Sequence, residues 1–438
     1  MLIVGFNDST IDKNSQIVKD MQNYDLGGVI LFDRYYTDRK KVKNIQTPQQ
    51  LKMLTSELKK FSPKPLFIGV DQEGGKVARL KPAYGFTKIP SAYDASKMPL
   101  QKVQNIYKTQ ALMLRESGIN LNFAPVVDLA INPKNRVIVG LGRSYAKEAK
   151  KVAEYAQTMI DAQNAQSIIS VLKHFPGHGS SLGDSHKGFV DITNTWSKKE
   201  LEPYKLLIEK NKVDAIMTAH VFNKHLDSQY PATLSRKVNT KLLREQLHFH
   251  GVIISDDMQM KAISAHYSLK EATTLAINSG VDILLFGNQL AHNTTKEIVD
   301  TIFTQVKNKK IPLQRIVEST RRIQNLHTKN LIVQKPIIFT QKRVDMTKAY
   351  IKKHYGLTVK NIDITPKIIV LHWTAVMNFK DSYNRLYAEK LFSDRTDIAQ
   401  ASALNVSAHF LVDRDGTIYH LMPSDHMARL GSAWFGVG

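Results

Sequence analysis

The amino-acid sequence predicts an α/β protein, a (β/α)8 TIM barrel followed by a second, smaller α/β domain. Three observations predict it. Short β-branched apolar runs recur up to about residue 328, helix-like patterns separate them, and polar residues gather at the C-terminal ends of most of the runs.

The runs are MLIVGF at the start, GGVILFD ending at Asp33, PLFIGVD ending at Asp71, INLNFAPVVD ending at Asp128, SIISVLKH ending at His174, VDAIMTAH ending at His220, GVIISDD ending at Asp257 and VDILLFG ending at Gly287. They match the barrel in number, and their continuous apolar character is what a parallel sheet buried on both faces requires. Between them, Lys147 to Gln163 and Lys270 to Ser279 read as amphipathic helices, the second stopped by Gly280. The first domain is therefore expected over 1–328, and a linker over 329–342, where Pro336 interrupts the pattern. The second domain, 343–438, opens on a helical stretch around Met346 to His354. Its clearest strand is Pro366 to Trp373, and a hairpin is expected from Val406 to Met422 around Asp413 to Gly416.

Composition narrows the function. With 438 residues and 42% hydrophobic content the chain can bury at least one large core. It has no cysteine, so any metal site must use His, Asp or Glu. A net charge of +22 favours anionic polymers, among them nucleic acid, acidic lipid and bacterial cell wall. The densest basic run, Arg39, Lys40, Lys41 and Lys43, lacks interleaved aromatics and reads as a solvated helix face; with no nucleic-acid motif present, nucleic acid is not an expected partner. No apolar run reaches the roughly 18 to 20 residues of a membrane span. MLIVGF reads as a strand rather than as part of a signal peptide. A cytoplasmic location is expected of the chain as written, with the cell envelope or periplasm as the alternative if an upstream segment precedes it.

In a barrel the C-terminal strand ends open onto one face, so Asp71, Asp128, Lys173, His174, His220 and Asp256 are expected to converge there. Taken singly, each is equally compatible with a helix cap or an ordinary loop residue. The segment KHFPGHGSSLGDSHKG, Lys173 to Gly188, sets three His, one Asp and two Lys among four Gly, with only Phe175 and Leu182 as large apolar residues. Such a loop is costly to order, which suggests a functional role. Asp184 and His186 are two apart, so in extended backbone they share a face and the carboxylate can orient the imidazole as a general acid/base. Asp256 and Asp257 end another buried run, and one of them is expected to face the barrel mouth. A carboxylate facing a protonated acid across a bound sugar is the arrangement of retaining glycoside hydrolysis.

These motifs, DQEGGKVARL (Asp71 to Leu80), NFAPVVDL, GLGRSY (Gly140 to Tyr145), KHFPGHG with DSH, and ISDDMQM (Ile254 to Met260), resemble those of bacterial β-N-acetylglucosaminidases of glycoside hydrolase family 3, over residues 1 to about 328. The resemblance implies a TIM barrel that needs no cofactor, with Asp256 as nucleophile and His186, paired with Asp184, as acid/base. It further implies that Asp71, Arg79, Arg143, Lys173 and His174 bind the sugar; Asp257 stands as the alternative nucleophile. From about Arg343 to Gly438, RVDMTKAYIKKHYG, IIVLHWTA and VSAHFLVDRDGTIYHLMP resemble the start of a zinc-dependent N-acetylmuramoyl-L-alanine amidase. That implies a truncated α/β amidase-like domain in which His372 corresponds to the first zinc ligand, zinc being expected only of a complete domain. The two resemblances imply peptidoglycan fragments or muropeptides as partners. A GlcNAc phosphorylase and a non-catalytic wall-binding protein are the alternatives, and the oligomeric state stays open.

Overall fold

The computed structural model describes residues 1–330, 332–367, 370–371, 374, 376, 378–400, 402–413 and 418–429. All eight apolar runs supply a strand: β1 Leu2–Gly5, β2 Gly28–Ile30, β3 Phe67–Val70, β4 Leu121–Asn122, β5 Ile169–Phe175, β6 Ala215–Thr218, β7 Val252–Asp257 and β8 Ile283–Phe286. Each pairs in parallel with its neighbours and β1 closes the ring between β2 and β8, with Ile3 opposite both Gly28 and Leu285. At the closure β1 and β8 run so close that a Cβ on Gly5 would lie 1.9 Å from the Gly287 carbonyl oxygen, so only glycine fits there.

Alternation along the strands sorts the apolar residues into two layers. Ile3, Phe67, Val171 and Ile254 fill the barrel interior, while Leu2, Val4, Ile68 and Ile253 pack outward against the helices. Both layers are dry, which explains why the sequence shows unbroken runs. Helices Ala149–Asn164 and Leu269–Ser279 form where the patterns predict, the second ending at Gly280 with φ 115°.

One end of the barrel is plugged. The long helix Leu313–Asn330 contributes Ile323 and Leu326 to the interior cluster, and His327 stacks on Phe67 with ring centroids 3.6 Å apart. Asp282, at the start of β8, fastens this helix: its carboxylate accepts from Arg315 at 2.8 Å, Arg322 at 3.1 Å and Ser319 at 2.6 Å, and from Arg244 at 2.6 Å. Only the opposite face of the barrel is left open to a cavity. No helix among the described residues is long and apolar enough to cross a membrane.

The chain divides into Met1–Asn330 and Leu331–Gly438. Within the second unit, β9 Ile332–Gln334 lies parallel to β11 Ile418–His420, which pairs antiparallel with β10 Phe410–Val412. The expected hairpin is thus β10 and β11, and β9 falls inside the stretch read as a linker. The helical stretch is Gln341–Tyr355, ended by Gly356 at φ 68°. The strand expected over Pro366 to Trp373 is not formed by its described members, Pro366, Lys367, Val370 and Leu371; Leu371 is 91% exposed.

Asp282 sits fully buried among three guanidinium groups, and removing a buried counterion leaves uncompensated charge. Asp282→Ala is expected to destabilise the barrel by about 3–5 kcal/mol in urea denaturation. A loss below about 1 kcal/mol would show that the cluster does not fasten the plug.

Candidate active site

The open face of the barrel holds a cavity of about 670 Å³. Asp71, Arg79, Arg143, Lys173, His174, Asp184, His186 and Asp256 all line it, so the residues singled out from separate segments come together. Asp128 and His220 do not line it; both are 1% exposed and stand behind the residues that do.

At its base lies a charge network. Lys173, on β5 and nearly buried, places Nζ 2.8 Å from Asp71 Oδ1 and 2.7 Å from Glu73 Oε1. Arg143 donates to both oxygens of Glu73 at 2.8 Å, the bidentate geometry a guanidinium favours. Arg79 reaches Asp71 at 3.4 Å. Burial opposes the charged forms of both carboxyls, but the cations outweigh it: Lys173 and Arg79 hold Asp71 below the usual range, and Arg143 and Lys173 hold Glu73 at about 2.

The local fold sets this up. After β3 the chain makes a tight hairpin, Gln72–Gly74 against Val77–Ala78. Gln72 is buried and its amide oxygen accepts from the backbone N–H groups of Arg79 and Leu80, both at 2.9 Å, so Asp71, Glu73 and Arg79 are carried on one rigid turn. Glu73 was not singled out from the sequence. Its signal was there: two residues beyond Asp71 at a strand end, it shares the same face.

Asp128 orients the next residue. Its Oδ2 lies 2.7 Å from His174 Nδ1, and its Oδ1 accepts from the His178 N–H at 2.8 Å. With Nδ1 engaged, His174 turns Nε2 toward Arg143, 3.3 Å away.

The His-rich loop after β5 is held by polar contacts rather than by apolar packing. Asn135 donates to the carbonyls of His178 at 2.8 Å and Gly179 at 3.2 Å, and Glu200 accepts from the N–H of Gly179 at 2.9 Å. Farther along, the Ser185 carbonyl accepts from the N–H of Ala262, just beyond β7. Next to that tether Asp184 Oδ1 accepts from the His186 N–H at 3.1 Å and lies 2.9 Å from its Nδ1. The His186 side chain is half exposed.

At the end of β7 the adjacent carboxylates separate. Asp257 Oδ1 accepts from the N–H groups of Gln259 at 3.0 Å and Gly287 at 3.2 Å, and burial pushes this carboxyl up to about 6. It joins β7 to the loop after β8. Asp256 is buried too, but His220, His174 and His186 outweigh burial and keep it below the usual carboxylate range. His220 is in turn fixed between Thr233 Oγ1 at 2.8 Å and the Asp257 carbonyl at 2.9 Å.

The basic run Arg39 to Lys43 needs correction. It forms no helix; the chain turns back so that Arg34 and Val42 pair as an antiparallel bridge. Arg39 lines the cavity and Lys43 is 1% exposed, its Nζ donating to the Asn288 carbonyl at 3.0 Å. Burial brings Lys43 down to about 8.

Comparison with known proteins agrees with this geometry. Residues 2–326 match the glycosyl hydrolase family 3 N terminal domain. The chain belongs to glycoside hydrolase family 3. It is 31% identical over 337 residues to beta-hexosaminidase A of Pseudoalteromonas piscicida, covering 70% of this chain and 54% of that protein. It is 36% identical over 272 residues to the beta-hexosaminidase of Tolumonas auensis, covering 61% and 77%. A glycoside hydrolase family 3 beta-N-acetylglucosaminidase from a Paenibacillus species superposes with TM-score 0.67 at 31% identity, covering 75% of this chain and 61% of that one. The beta-N-acetylhexosaminidase of Beutenbergia cavernae gives 0.67 at 25% identity, covering 75% and 96%. The chain thus spans only about half the length of the first of these relatives.

Residues 363–434 match the N-acetylmuramoyl-L-alanine amidase family, so the family 3 domain is followed by an amidase-like unit. His372 lies outside the described residues. Among those described, no group of three or more His, Asp or Glu side chains is placed to hold a metal ion. His409, one of the histidines there, directs Nε2 to the His426 carbonyl at 2.7 Å.

Glu73 gives a pH prediction. Its folded pKa is depressed from 4.5 to about 2, so its charge stabilises the fold above pH 4.5, and that contribution is lost as pH falls toward 2. Glu73→Gln is expected to be less stable at neutral pH and to lose stability less steeply across that window, as read by circular dichroism. Parallel acid-unfolding curves would show that the network does not govern acid stability.

Proposed function

We propose that this chain is a retaining exo-β-N-acetylglucosaminidase that removes terminal GlcNAc from peptidoglycan fragments. One observation carries the reading: an ionised Asp256, the His186–Asp184 pair and the Lys173 network line the same cavity. A cavity of that size suits a sugar, and its charged groups suit hydroxyl recognition through charge-assisted hydrogen bonds.

Asp256 attacks the anomeric carbon while His186 Nε2 gives its proton to the departing oxygen, forming a glycosyl-enzyme ester. Asp184, held at Nδ1, keeps the ring oriented and stabilises the imidazolium before transfer. Water then enters where the leaving group was, His186 takes its proton, and the hydroxyl displaces Asp256 with retention overall. Asp71, Arg79, Arg143, Lys173 and His174 position the sugar; Glu73 holds Lys173 and Arg143 in place. The amidase-like unit supports peptidoglycan as the polymer, since that family's chemistry is directed at muramic acid.

Asp256→Ala is expected to lower kcat on an aryl β-GlcNAc by at least about 10⁴-fold. His186→Ala is expected to cost about 10²–10⁴-fold on a glycoside with a poor leaving group, and far less on a dinitrophenyl glycoside, whose departing oxygen needs no proton. Wild-type turnover by Asp256→Ala would sink the mechanism. Phosphate-dependent release of GlcNAc-1-phosphate would assign phosphorolysis instead.

A further inference from the structure

The His-rich loop after β5 is clamped at one place before it reaches His186. At His178, Gly179 and Ser180 every backbone polar group has a side-chain partner. The N–H of His178 goes to Asp128 at 2.8 Å, and those of Gly179 and Ser180 go to a single oxygen, Oε2 of Glu200, at 2.9 and 3.3 Å. The carbonyls of His178 and Gly179 accept from Asn135 at 2.8 and 3.2 Å, and that of Ser180 accepts from Asn132 at 3.1 Å. A loop with so little apolar packing takes its course from such bonds. Only Ser181 to Ser185 separate the clamp from His186, and the bond from Ala262 to the Ser185 carbonyl holds their far end.

Asp128 also orients His174, and Asn135 also accepts from the N–H groups of Val137 and Ile138. The Glu200 side chain, in contrast, serves the loop alone. It is buried, its second oxygen Oε1 has no hydrogen-bond partner among the described residues, and none of their cations pairs with it. It stands on the turn Lys198–Leu201, over which Gly177 passes at φ 121°, so close that a Cβ there would lie 2.6 Å from the Glu200 Cβ. On either side of it, Trp196 Nε1 donates to the Pro176 carbonyl at 3.0 Å and the Tyr204 ring meets Phe175 edge-on at 5.2 Å. The acid is thereby held against the root of the loop. Burial pushes its carboxyl up to about 7; Ser180 and Gly179 oppose that, and the Asp128 carboxylate adds to it. The other titratable group coupled to it is the buried Tyr204 hydroxyl, while His174 and His178 act on Asp128.

We propose that Glu200 is a positioning residue for the acid/base: its carboxylate, through the N–H groups of Gly179 and Ser180, sets where the loop places His186 relative to Asp256. The inference rests on the glycosidase reading given above and adds to that reaction a residue outside the cavity. Ionised, Glu200 accepts both bonds as charge-assisted ones; once protonated it is a weaker acceptor, and the clamp slackens. A misplacement of about 1 Å is enough to cost on the order of 10²-fold in rate. Proton delivery to the departing oxygen therefore improves as Glu200 ionises, while attack by Asp256 is unaffected.

The test compares kcat/KM of the full chain, wild type and Glu200→Gln, on two aryl β-GlcNAc glycosides. The departing oxygen of the phenyl glycoside needs a proton and that of the dinitrophenyl glycoside does not, and kcat/KM reports the step in which His186 acts as acid. Glutamine keeps the shape without the charge, and urea unfolding checks that the fold is kept. Glu200→Gln is expected to lose about tenfold or more on the phenyl glycoside and less than about twofold on the dinitrophenyl glycoside. In a His186→Ala background it is expected to lose nothing further, because a residue acting through His186 has no effect without it. The wild type gives an independent reading, which decides the matter should the variant not fold. On the phenyl glycoside its kcat/KM is expected to rise through about pH 7 before His186 loses its proton, an acid limb absent with the dinitrophenyl glycoside. No loss, equal losses on both glycosides, a further loss beyond His186→Ala, or an acid limb shared by both glycosides would overturn the positioning role and leave the glycosidase reading in place. Absence of wild-type turnover of either glycoside would overturn that reading, and the positioning role with it.

Discussion

A buried ammonium group organises this barrel mouth. Lys173 has only 3% of its side chain exposed, and an ion so placed forfeits hydration worth several kcal/mol unless counterions replace it. Asp71 and Glu73 supply them from the hairpin after β3, and Glu73 in turn anchors Arg143 from the loop after β4. One desolvated charge thereby binds three successive barrel segments into one rigid surface. Removing any member would leave another unpaired in a dry place, so the cluster is stable only as a whole. That rigidity matters for a sugar, whose hydroxyls can be told apart only by donors and acceptors already at fixed distances.

The barrel was legible in the sequence because its strands are buried on both faces: eight continuous apolar runs leave little choice of architecture, and the polar residues closing six of them mark the mouth. That rule put Asp71, Asp128, Lys173, His174, His220 and Asp256 at the mouth; Asp128 and His220 stand behind the lining instead, and both Asp256 and Asp257 line the cavity. Glu73 was missed because it lies in a glycine-rich turn after the strand, although its spacing of two from Asp71 puts it on the same face. The run at Arg39 to Lys43 was misread for a different reason. Counting charge along the chain treats every lysine as solvated, whereas Lys43 is inserted beneath Asn288 and Arg39 looks onto the cavity. The aromatics that would have warned of this, Phe32, Tyr35 and Tyr36, stand just upstream of the run rather than within it. In the second unit, the apolar run from Pro366 suggested a strand, but apolar patterning marks a segment without supplying its pairing partner, and its described members enter no strand.

The loop bearing His186 shows how a segment with almost no apolar residues is nevertheless ordered. Carbonyl and N–H groups that a glycine-rich chain would leave to water are taken up by Asn135 and Glu200. Burial pushes Glu200 up to about 7, so the group holding the Gly179 N–H changes charge near neutral pH. Past that anchor the Ser185 carbonyl is tied to Ala262, which follows the strand carrying Asp256. The two segments are thus joined directly by a backbone hydrogen bond. His186 itself remains half exposed beyond that tether, the exposure that the proposed exchange of protons with a leaving group and with water requires.

A net charge of +22 says little about recognition until it is divided into paired and unpaired groups. In the depth of the cavity each cation has its carboxylate, so the field there is short-ranged and oriented, suited to dipoles such as hydroxyls. On the wall formed by the loop after β2, Arg34 and Arg39 enter no ion pair among the described residues, and their field extends into the open cavity. Two layers of positive charge, alike in the sequence, thus differ in what they can bind. The inner layer spends its attraction on protein carboxylates and is left with directional hydrogen bonding. Pairing rather than net charge therefore decides what each layer contributes, and pairing is set by the fold rather than by the order of residues along the chain.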